Sequence, residues 1–293
     1  MSFSIYATDI TLIHPNTPGS TSDVVAREIA TAYKEITGNN MIVEAIGGGN
    51  QIPGVVAWKN RQRPTVMMTT STLTVFNPAI LKDLPYSDSD FKHVTLISTV
   101  TSAWVVRNES SYKTIKDVVT MLPSSKKSFV SYANHSELVN FEVLAEKYNM
   151  KPAVTPIKYK GVPEAVAGLL EGSIEVAVLS LNPVLIGQIE SGALRVLAHT
   201  NTDTMNIGGV SVEPVQKQLG VEQFNGFVAI SLPSTINDQE FDQLKTNLML
   251  AINSPNVQDR IKKMNGTLVN KGPKHMNEYI QNFRDKIKNI ELK

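Results

Sequence analysis

The sequence predicts an α/β protein built on largely parallel sheets. Short apolar, β-branched runs alternate along the chain with segments whose apolar residues recur at helical spacing. Loops rich in hydroxyl and amide side chains join several of these strands to the helices that follow. No repeat, low-complexity tract or Pro-rich linker divides the 293 residues into independent domains. A chain of this length buries a large core and is expected to make two lobes.

Ile10–His14 reads as the first buried strand. The helix Asp23–Thr37 follows, with apolar residues at Val25, Ile29, Ala32 or Tyr33, and Ile36. Ser20 and Asp23 have capping-box spacing, and Gly38 stands where a helix end favours a left-handed residue. The strands Met41–Ala45, Thr65–Thr69 and His93–Ser98 come next, separated by the helices Ile52–Asn60 and Leu73–Leu81. A second series opens with the strand Ala103–Arg107, the helix Thr114–Leu122 and the strand Ser128–Ser131. Glu137–Tyr148 is a helix with Phe141, Leu144, Ala145 and Tyr148 on one face. The strand Val154–Ile157, helix Pro163–Glu171, strand Glu175–Leu179, helix Pro183–Glu190 and strand Arg195–His199 complete that series. From Asp238 onward the chain reads as helical, with a short strand at Thr267–Val269. Met276, Tyr279, Ile280, Phe283, Ile287 and Ile290 form a stripe on the last helix, expected to pack on the first lobe. The chain is expected to cross between lobes near Thr99–Ala103 and again near Gly226–Ala229.

Composition narrows the function classes. Hydrophobic residues at 42% and charged residues at 19% describe an ordinary globular protein, and a net charge of +1 argues against a nucleic-acid partner. The charged run Arg284–Lys293 alternates acids and apolar residues, as a solvated helix face would. There are no cysteines, which removes disulfides, zinc thiolates, iron–sulfur clusters and thiol nucleophiles. The five histidines show no metal-ligand spacing, and no Gly-x-Ser-x-Gly elbow occurs, so no cofactor, metal or catalytic residue is expected. Gly49 and Gly54 have the phosphate-loop separation, but Val55 stands where the lysine must be. No run of about 18 apolar residues is present. The opening stretch from Met1 to Asp9 has neither a basic start nor an apolar centre, so it does not read as a signal peptide.

What remains is five polar strand-to-helix loops, at the strand ends where parallel α/β sheets hold ligands. The first gives the candidate ligand-binding residues Asn16, Thr17, Gly19, Ser20, Thr21, Ser22 and Asp23. Its free amides at a helix N-terminus make an anion site without a cationic side chain. The second gives Thr70 and Ser71, the third Asn134, His135 and Ser136, the fourth Tyr159 and Lys160, and the fifth Asn182. Hydroxyl and backbone donors suit a carboxylate, and two such loops would hold the two ends of a dicarboxylate. For any one loop taken alone, helix capping accounts for the same residues.

Pro15 to Arg27 resembles the first loop and helix of the tripartite tricarboxylate transporter solute receptors, the Bug family, in its Pro-Gly, small residues, Asp, two apolar residues and Ala-Arg. Val43-Glu-Ala-Ile-Gly-Gly-Gly-Asn-Gln-Ile-Pro-Gly54 is similar to the family's glycine segment. Asn77-Pro78, Pro85-Tyr86, Asp90-Phe91, Ile157-Lys-Tyr-Lys-Gly161 and Ser191-Gly-Ala-Leu-Arg-Val-Leu-Ala198 follow in the family's order. The resemblance implies a bilobed type II periplasmic-binding-protein fold with two crossover segments: residues 1–101 with 229–293 in one lobe, 102–228 in the other, and the ligand between them. It implies a monomeric, non-enzymatic periplasmic receptor that presents a small organic carboxylate to membrane transporter subunits. The chain departs from the family pattern in several places. Asn16 stands where the family has an aromatic residue, and Ser20 where it has a second glycine. Ser131-Tyr-Ala-Asn-His-Ser136 lacks the glycines of the family's third loop, and Arg63-Pro-Thr-Val66 replaces its Gly-Tyr-Thr-Leu. A sensor or accessory protein, an enzyme on the same scaffold, and a repurposed receptor stay open as alternatives.

Overall fold

The computed structural model describes residues 9–62, 64–126, 128–288 and 290. The opening stretch therefore lies outside the described residues except for Asp9, as do Arg63 and residues 291–293 of the charged C-terminal run.

Each strand of the first half is an apolar run, and each helix after it starts at a side-chain cap or a proline. β1 (Ile10–His14) leads into α1 (Thr21–Thr37), which is capped by Ser20 and closed by left-handed Gly38. β2 (Met41–Ala45), α2 (Ile52–Lys59) and β3 (Val66–Thr70) follow. A wide turn over Thr72–Phe76 runs into α3 (Asn77–Ile80), and then comes the long β4 (Phe91–Val100). β5 (Ser102–Arg107), α4 (Ile115–Met121), β6 (Phe129–Tyr132) and α5 (His135–Lys147) open the second unit. β7 (Thr155–Lys158), α6 (Val162–Leu170), β8 (Val176–Ser180), α7 (Pro183–Glu190) and β9 (Leu194–His199) continue it. A hairpin of β10 (Met205–Ile207) and β11 (Val210–Val212) then precedes α8 (Val215–Leu219). β12 (Gly226–Pro233), α9 (Asp238–Ile252), α10 (Pro255–Lys263) and α11 (Pro273–Ile287) end the fold.

Two five-stranded sheets result, in the orders β2-β1-β3-β12-β4 and β7-β6-β8-β5-β9. Each is half parallel and half antiparallel, which corrects the largely parallel expectation. β1 pairs in parallel with β2 and β3, and β6 with β7 and β8. β12 and β5 pair antiparallel with both of their neighbours. These two strands each enter directly from the other unit, and a returning strand needs no helical crossover. Gly226–Ala229, read from sequence as a crossing, is the first half of β12, with Gly226 opposite Val100 and Ala229 opposite Leu96. The sequence reading also passed over β10, β11 and α8, short elements with too few residues to show a period. Thr267–Val269 is not a strand but a single bridge, Leu268 to Ser98.

The chain passes from β4 to β5 through Thr101 and returns through the residues before β12. Thr200 ties the two passages: its Oγ1 accepts from the Ser102 N–H at 2.9 Å and donates to Asn225 Oδ1 at 2.6 Å. Asn140 of α5 grips the return, donating to Phe224 O at 2.9 Å and accepting from Phe224 N at 2.7 Å. The α11 stripe packs on Leu96, Phe227 and Ala229 of the first sheet, as its sequence predicts. The same cluster takes in Val139 of α5 and Phe224, so it spans both units. Arg284 departs from the solvated-face reading. Its guanidinium donates to Thr74 O and pairs with Asp88.

His14 and His199 are fully buried, His135 is 5% exposed and His93 is half-buried. Desolvation holds all four below the ordinary value of 6.5, His93 and His135 at about 4. The folded chain therefore binds these protons more weakly than the unfolded chain does. Their contribution to stability is complete above about pH 6.5 and is lost as pH falls through the folded values. We expect Tm to be level from about pH 7 upward and to fall progressively from about pH 6.5 to 4. His135→Gln should lose part of that acid sensitivity. A Tm independent of pH across the window would contradict the burial of these rings.

Candidate functional site

The β1–α1 loop is shaped from behind by one carboxylate. Ser20 caps α1 from an extended conformation (φ −69°, ψ 163°), its Oγ accepting from the Asp23 N–H at 3.3 Å. Asp23 reaches back to accept the Gly19 N–H at 2.7 Å, which fixes Gly19 in the left-handed region at φ +80°. Its other oxygen lies 2.9 Å from Arg27 Nε and 3.0 Å from buried His14 Nε2. Burial pushes the Asp23 carboxyl up, but the Gly19 amide, Arg27 and His14 outweigh it and hold the group below the usual carboxylate range. The first-turn amides of Thr21 and Ser22 have no carbonyl to bond within the helix, so they remain as donors at the positive end of its dipole.

Beside this loop runs a relay of side chains from three strand ends. Thr70 Oγ1 donates to Gln51 Oε1 at 2.5 Å, Gln51 Nε2 donates to Asn16 Oδ1 at 2.9 Å, and Asn16 Nδ2 donates to Ser22 Oγ at 2.8 Å. Ser22 is an acceptor at the end of the chain, so its own proton points onward, toward Ser20 Oγ at 3.3 Å or the cleft. Gln51 holds its place through a left-handed turn, with φ of 57° at Asn50 and 71° at Gln51. Such conformations cost of order 1–3 kcal/mol each and persist where surrounding contacts impose them. The turn sits directly on the first loop, since a Cβ on Gly47 would stand 2.7 Å from the Asn16 backbone. Sequence reasoning tested this glycine segment as a phosphate loop and missed Gln51. Its signal, a polar residue next to three glycines, is not distinctive.

The β6–α5 loop repeats the device in the second unit. Asn134 caps α5, and the fully buried Glu137 accepts from the Ala133 and Asn134 amides at 2.6 and 3.2 Å. Its other oxygen takes the Ser180 N–H at 2.6 Å and the Ser180 hydroxyl at 2.7 Å. Burial raises the Glu137 carboxyl against the pull of these four donors. An incoming anion therefore finds some of this loop's donors already taken. Ser131, where the third loop was expected to begin, is buried within β6, and its Oγ has no partner among the described residues.

These loops enclose a cavity of about 60 Å³ between the two sheets. Asn16, Thr17, Ser20, Thr21 and Ser22 line it from the first loop, and Thr70 and Ser71 from the end of β3. Asn134, Ser136 and Lys160 line it from the other unit. Gln51, Thr72, Ser180 and Gly161 join them, with Val100, Val162, Phe227 and Val228 as apolar wall. Thr17 Oγ1 is buried there without a partner among the described residues. Lys160 is the lone formal charge in the lining.

Five expected residues stand outside that lining. Gly19 and Asp23 brace the first loop from behind. Asn182 caps α7 through Oδ1 and donates across the cleft to Gly19 O at 3.3 Å. His135 turns away from the cavity, its Nδ1 lying 2.8 Å from Asn77 Oδ1. Asn77 Nδ2 donates to Asn50 O and to Tyr86 Oη, so its oxygen must accept and His135 carries its proton on Nδ1. Tyr159 lines an adjoining opening with Lys158 and Gly48. Thr21 adds a further bond across the cleft, from Oγ1 to Leu181 O at 3.2 Å.

The lining offers hydroxyls, amide side chains, helix-end amides and one ammonium, and no carboxylate, a donor set that suits an anion. Among the described residues no group of three or more His, Asp or Glu side chains converges as a metal site. His93 and Ser231 meet at 2.8 Å, but neither lines the cavity.

The chain resembles known proteins along nearly its whole length. The family model described as the tripartite tricarboxylate transporter family receptor matches residues 25–292. Protein BugT of Bordetella pertussis is 23% identical over 224 residues, which are 74% of this chain and 68% of that protein. A solved periplasmic transporter superposes with a TM-score of 0.86 at 23% identity, over all of both chains. An R. palustris protein solved with adipate superposes at 0.86 and 17% identity, covering 97% of this chain and 96% of that one. With the family model spanning all but the ends, the chain belongs to the receptors of the tripartite tricarboxylate transporter family.

Proposed function

We propose that this receptor captures a small organic carboxylate between its two units and presents it to membrane components of a transporter, from the periplasmic side and as a monomer without catalysis. The observation that carries this reading is the acid-free cavity between the N-termini of α1 and α5, lined by Thr17, whose buried hydroxyl has no partner among the described residues, and by Thr21 and Ser22 of the first turn of α1. The adipate complex of a structural neighbour supports the ligand class. Among the described residues no helix is long and apolar enough to cross a membrane, which is compatible with that placement. The moving bodies would be residues 1–101 with 226–293 and residues 102–225, a shift from the boundary read in the sequence, because β12 pairs with the first sheet from Gly226 onward and the return passage falls just before it.

A panel of small mono- and dicarboxylates should raise Tm by binding the folded state. Thr21→Pro removes one amide donor at the first helical position, where proline is tolerated and where the preceding Ser20 is already extended. It also removes the hydroxyl bond to Leu181 O, which Thr21→Ala removes alone and so measures separately. A hydrogen bond to a charged group is worth about 1.5–3 kcal/mol, so affinity should fall roughly tenfold to a hundredfold while the unliganded Tm hardly changes. Calorimetry and thermal melts on the same variant separate the two effects. A panel in which sugars or cationic amino acids bind and carboxylates do not would overturn the reading.

Gly161 tests closure. Its φ of −173° is open to any residue, yet a Cβ there would stand 2.4 Å from Thr17 Oγ1 in the opposing unit. Gly161→Ala should weaken carboxylate binding about tenfold or more, through an overpacking cost of about 1–3 kcal/mol confined to the closed cleft. Small-angle scattering should show less compaction on ligand addition than in the unmodified protein. Unchanged affinity and compaction would mean that these two loops do not meet in the bound form.

A further inference from the structure

We propose that Lys158 and Lys160 form a second anion subsite at the mouth of the cleft, which takes the distal carboxylate of an extended dicarboxylate. The proposal rests on the reading of the inner cavity as a carboxylate site and adds to it the shape and charge of the ligand.

The inner cavity is small, about 60 Å³, but it does not end blindly. A compartment of about 280 Å³ adjoins it, and Asn16, Gln51, Ala133 and Lys160 line both. The shared lining gives a ligand longer than its first carboxylate and a few carbons a path into that outer space. The outer wall has two faces. One is the left-handed turn Gly48–Asn50 of the first unit, mostly bare backbone. The other is the end of β7 and the loop after it, carrying Lys158, Tyr159 and Lys160.

The charge balance there is one-sided. No carboxylate lines either compartment. Neither lysine ammonium is in an ion pair among the described residues, whereas Lys59 and Lys92, for example, each pair with an aspartate. Glu164, the acid closest in sequence, is bound to the Lys160 backbone N–H at 2.7 Å and lines neither space. Both lysine residues are exposed, and partial desolvation of the Lys158 ammonium holds it below the usual lysine range, with no neighbouring acid to raise it. An anion in the outer compartment would relieve two unpaired cations at once. It would also bridge the turn of one unit and the strand end of the other, so its binding would favour closure.

The test is calorimetry on the full chain with pairs of equal carbon count: pentanoate against glutarate and hexanoate against adipate. The dicarboxylate of each pair should bind at least tenfold more tightly, and raised salt should narrow the gap, because the mouth is open to screening. Lys158→Met keeps the stem and removes the charge, and should bring the dicarboxylate-to-monocarboxylate affinity ratio down at least fivefold. Adding Lys160→Met should bring the ratio close to one. Circular dichroism and unliganded Tm establish that each variant is folded, and should the double variant unfold, Lys158→Met alone decides. Equal affinities within each pair, or a preference that survives in the variants, would overturn the subsite and leave the carboxylate receptor standing. Failure of every carboxylate to bind would overturn both.

Discussion

The site depends on a carboxylate placed three residues after a helix cap and bonded back to an amide four residues upstream. Asp23 takes the Gly19 amide, Glu137 the Ala133 amide and Glu164 the Lys160 amide, at 2.6–2.7 Å in each case. A loop that turns from a strand into a helix leaves amides that neither element can satisfy, and burying them unpaired is costly. The internal carboxylate satisfies those amides on the far side of the loop. The amides of the helix's first turn, on the cleft side, are left over. The protein thus spends its own anions on shaping the loops and keeps the remaining donors for a ligand. Glu137 carries this furthest, since its four bonds join β6, α5 and the end of β8 into one rigid corner.

The same device limits how strongly the cleft attracts an anion. Each internal carboxylate offsets part of the helix dipole behind it, and Asp23, held below the ordinary carboxylate range, keeps its charge at neutral pH. Attraction must then come from oriented neutral donors. The Thr70–Gln51–Asn16–Ser22 relay supplies orientation, because every proton along it runs in one direction and ends on a hydroxyl at the cleft. Asn16 is the member that makes this possible. An aromatic ring at its position would neither accept from Gln51 nor donate to Ser22, and the relay would be broken in its middle.

Much of this was legible in the chain itself. Apolar runs located β1 and β2 to the residue, and the helix Pro183–Glu190 likewise, because strong caps and prolines bound these elements. Capping chemistry gave the start of α1 and the polar loops that face the cleft. Three features could not be read. The antiparallel insertion of β12 depends on where the chain returns, and Gly226–Pro233 looks locally like any other apolar strand or passage. Gln51 matters through a backbone twist that its neighbours impose. His135 was read from its position at a helix start, yet its side chain binds Asn77, 58 residues earlier in the chain, and nothing local to the sequence announces that pairing.

Closure has to be carried by few contacts, and the distribution of contacts between the units fits that need. Behind the cleft the units share a dry cluster, with Val139 and Phe224 packed against α11, and Asn140 holds the returning strand by two buried bonds. These persist through any hinge motion that leaves the core intact, so they define an axis. Between the first loop and the α7 end the bonds are two and long, Thr21 to Leu181 at 3.2 Å and Asn182 to Gly19 at 3.3 Å, with Gly161 offering no side chain to Thr17, while the shorter inter-unit bonds, His135 to Asn77 at 2.8 Å and Asn265 to Asn206 O at 2.7 Å, lie outside the cavity lining. Neutral bonds of that kind contribute about 0.5–1.5 kcal/mol each at best. They are too weak to shut the cleft by themselves, and a receptor that shut unaided would signal no occupancy. On the proposed function, a ligand that bonds to α1 on one side and to α5 or the lysine-bearing loop on the other would add the missing differential, and its charge and length would then set how completely the two units close.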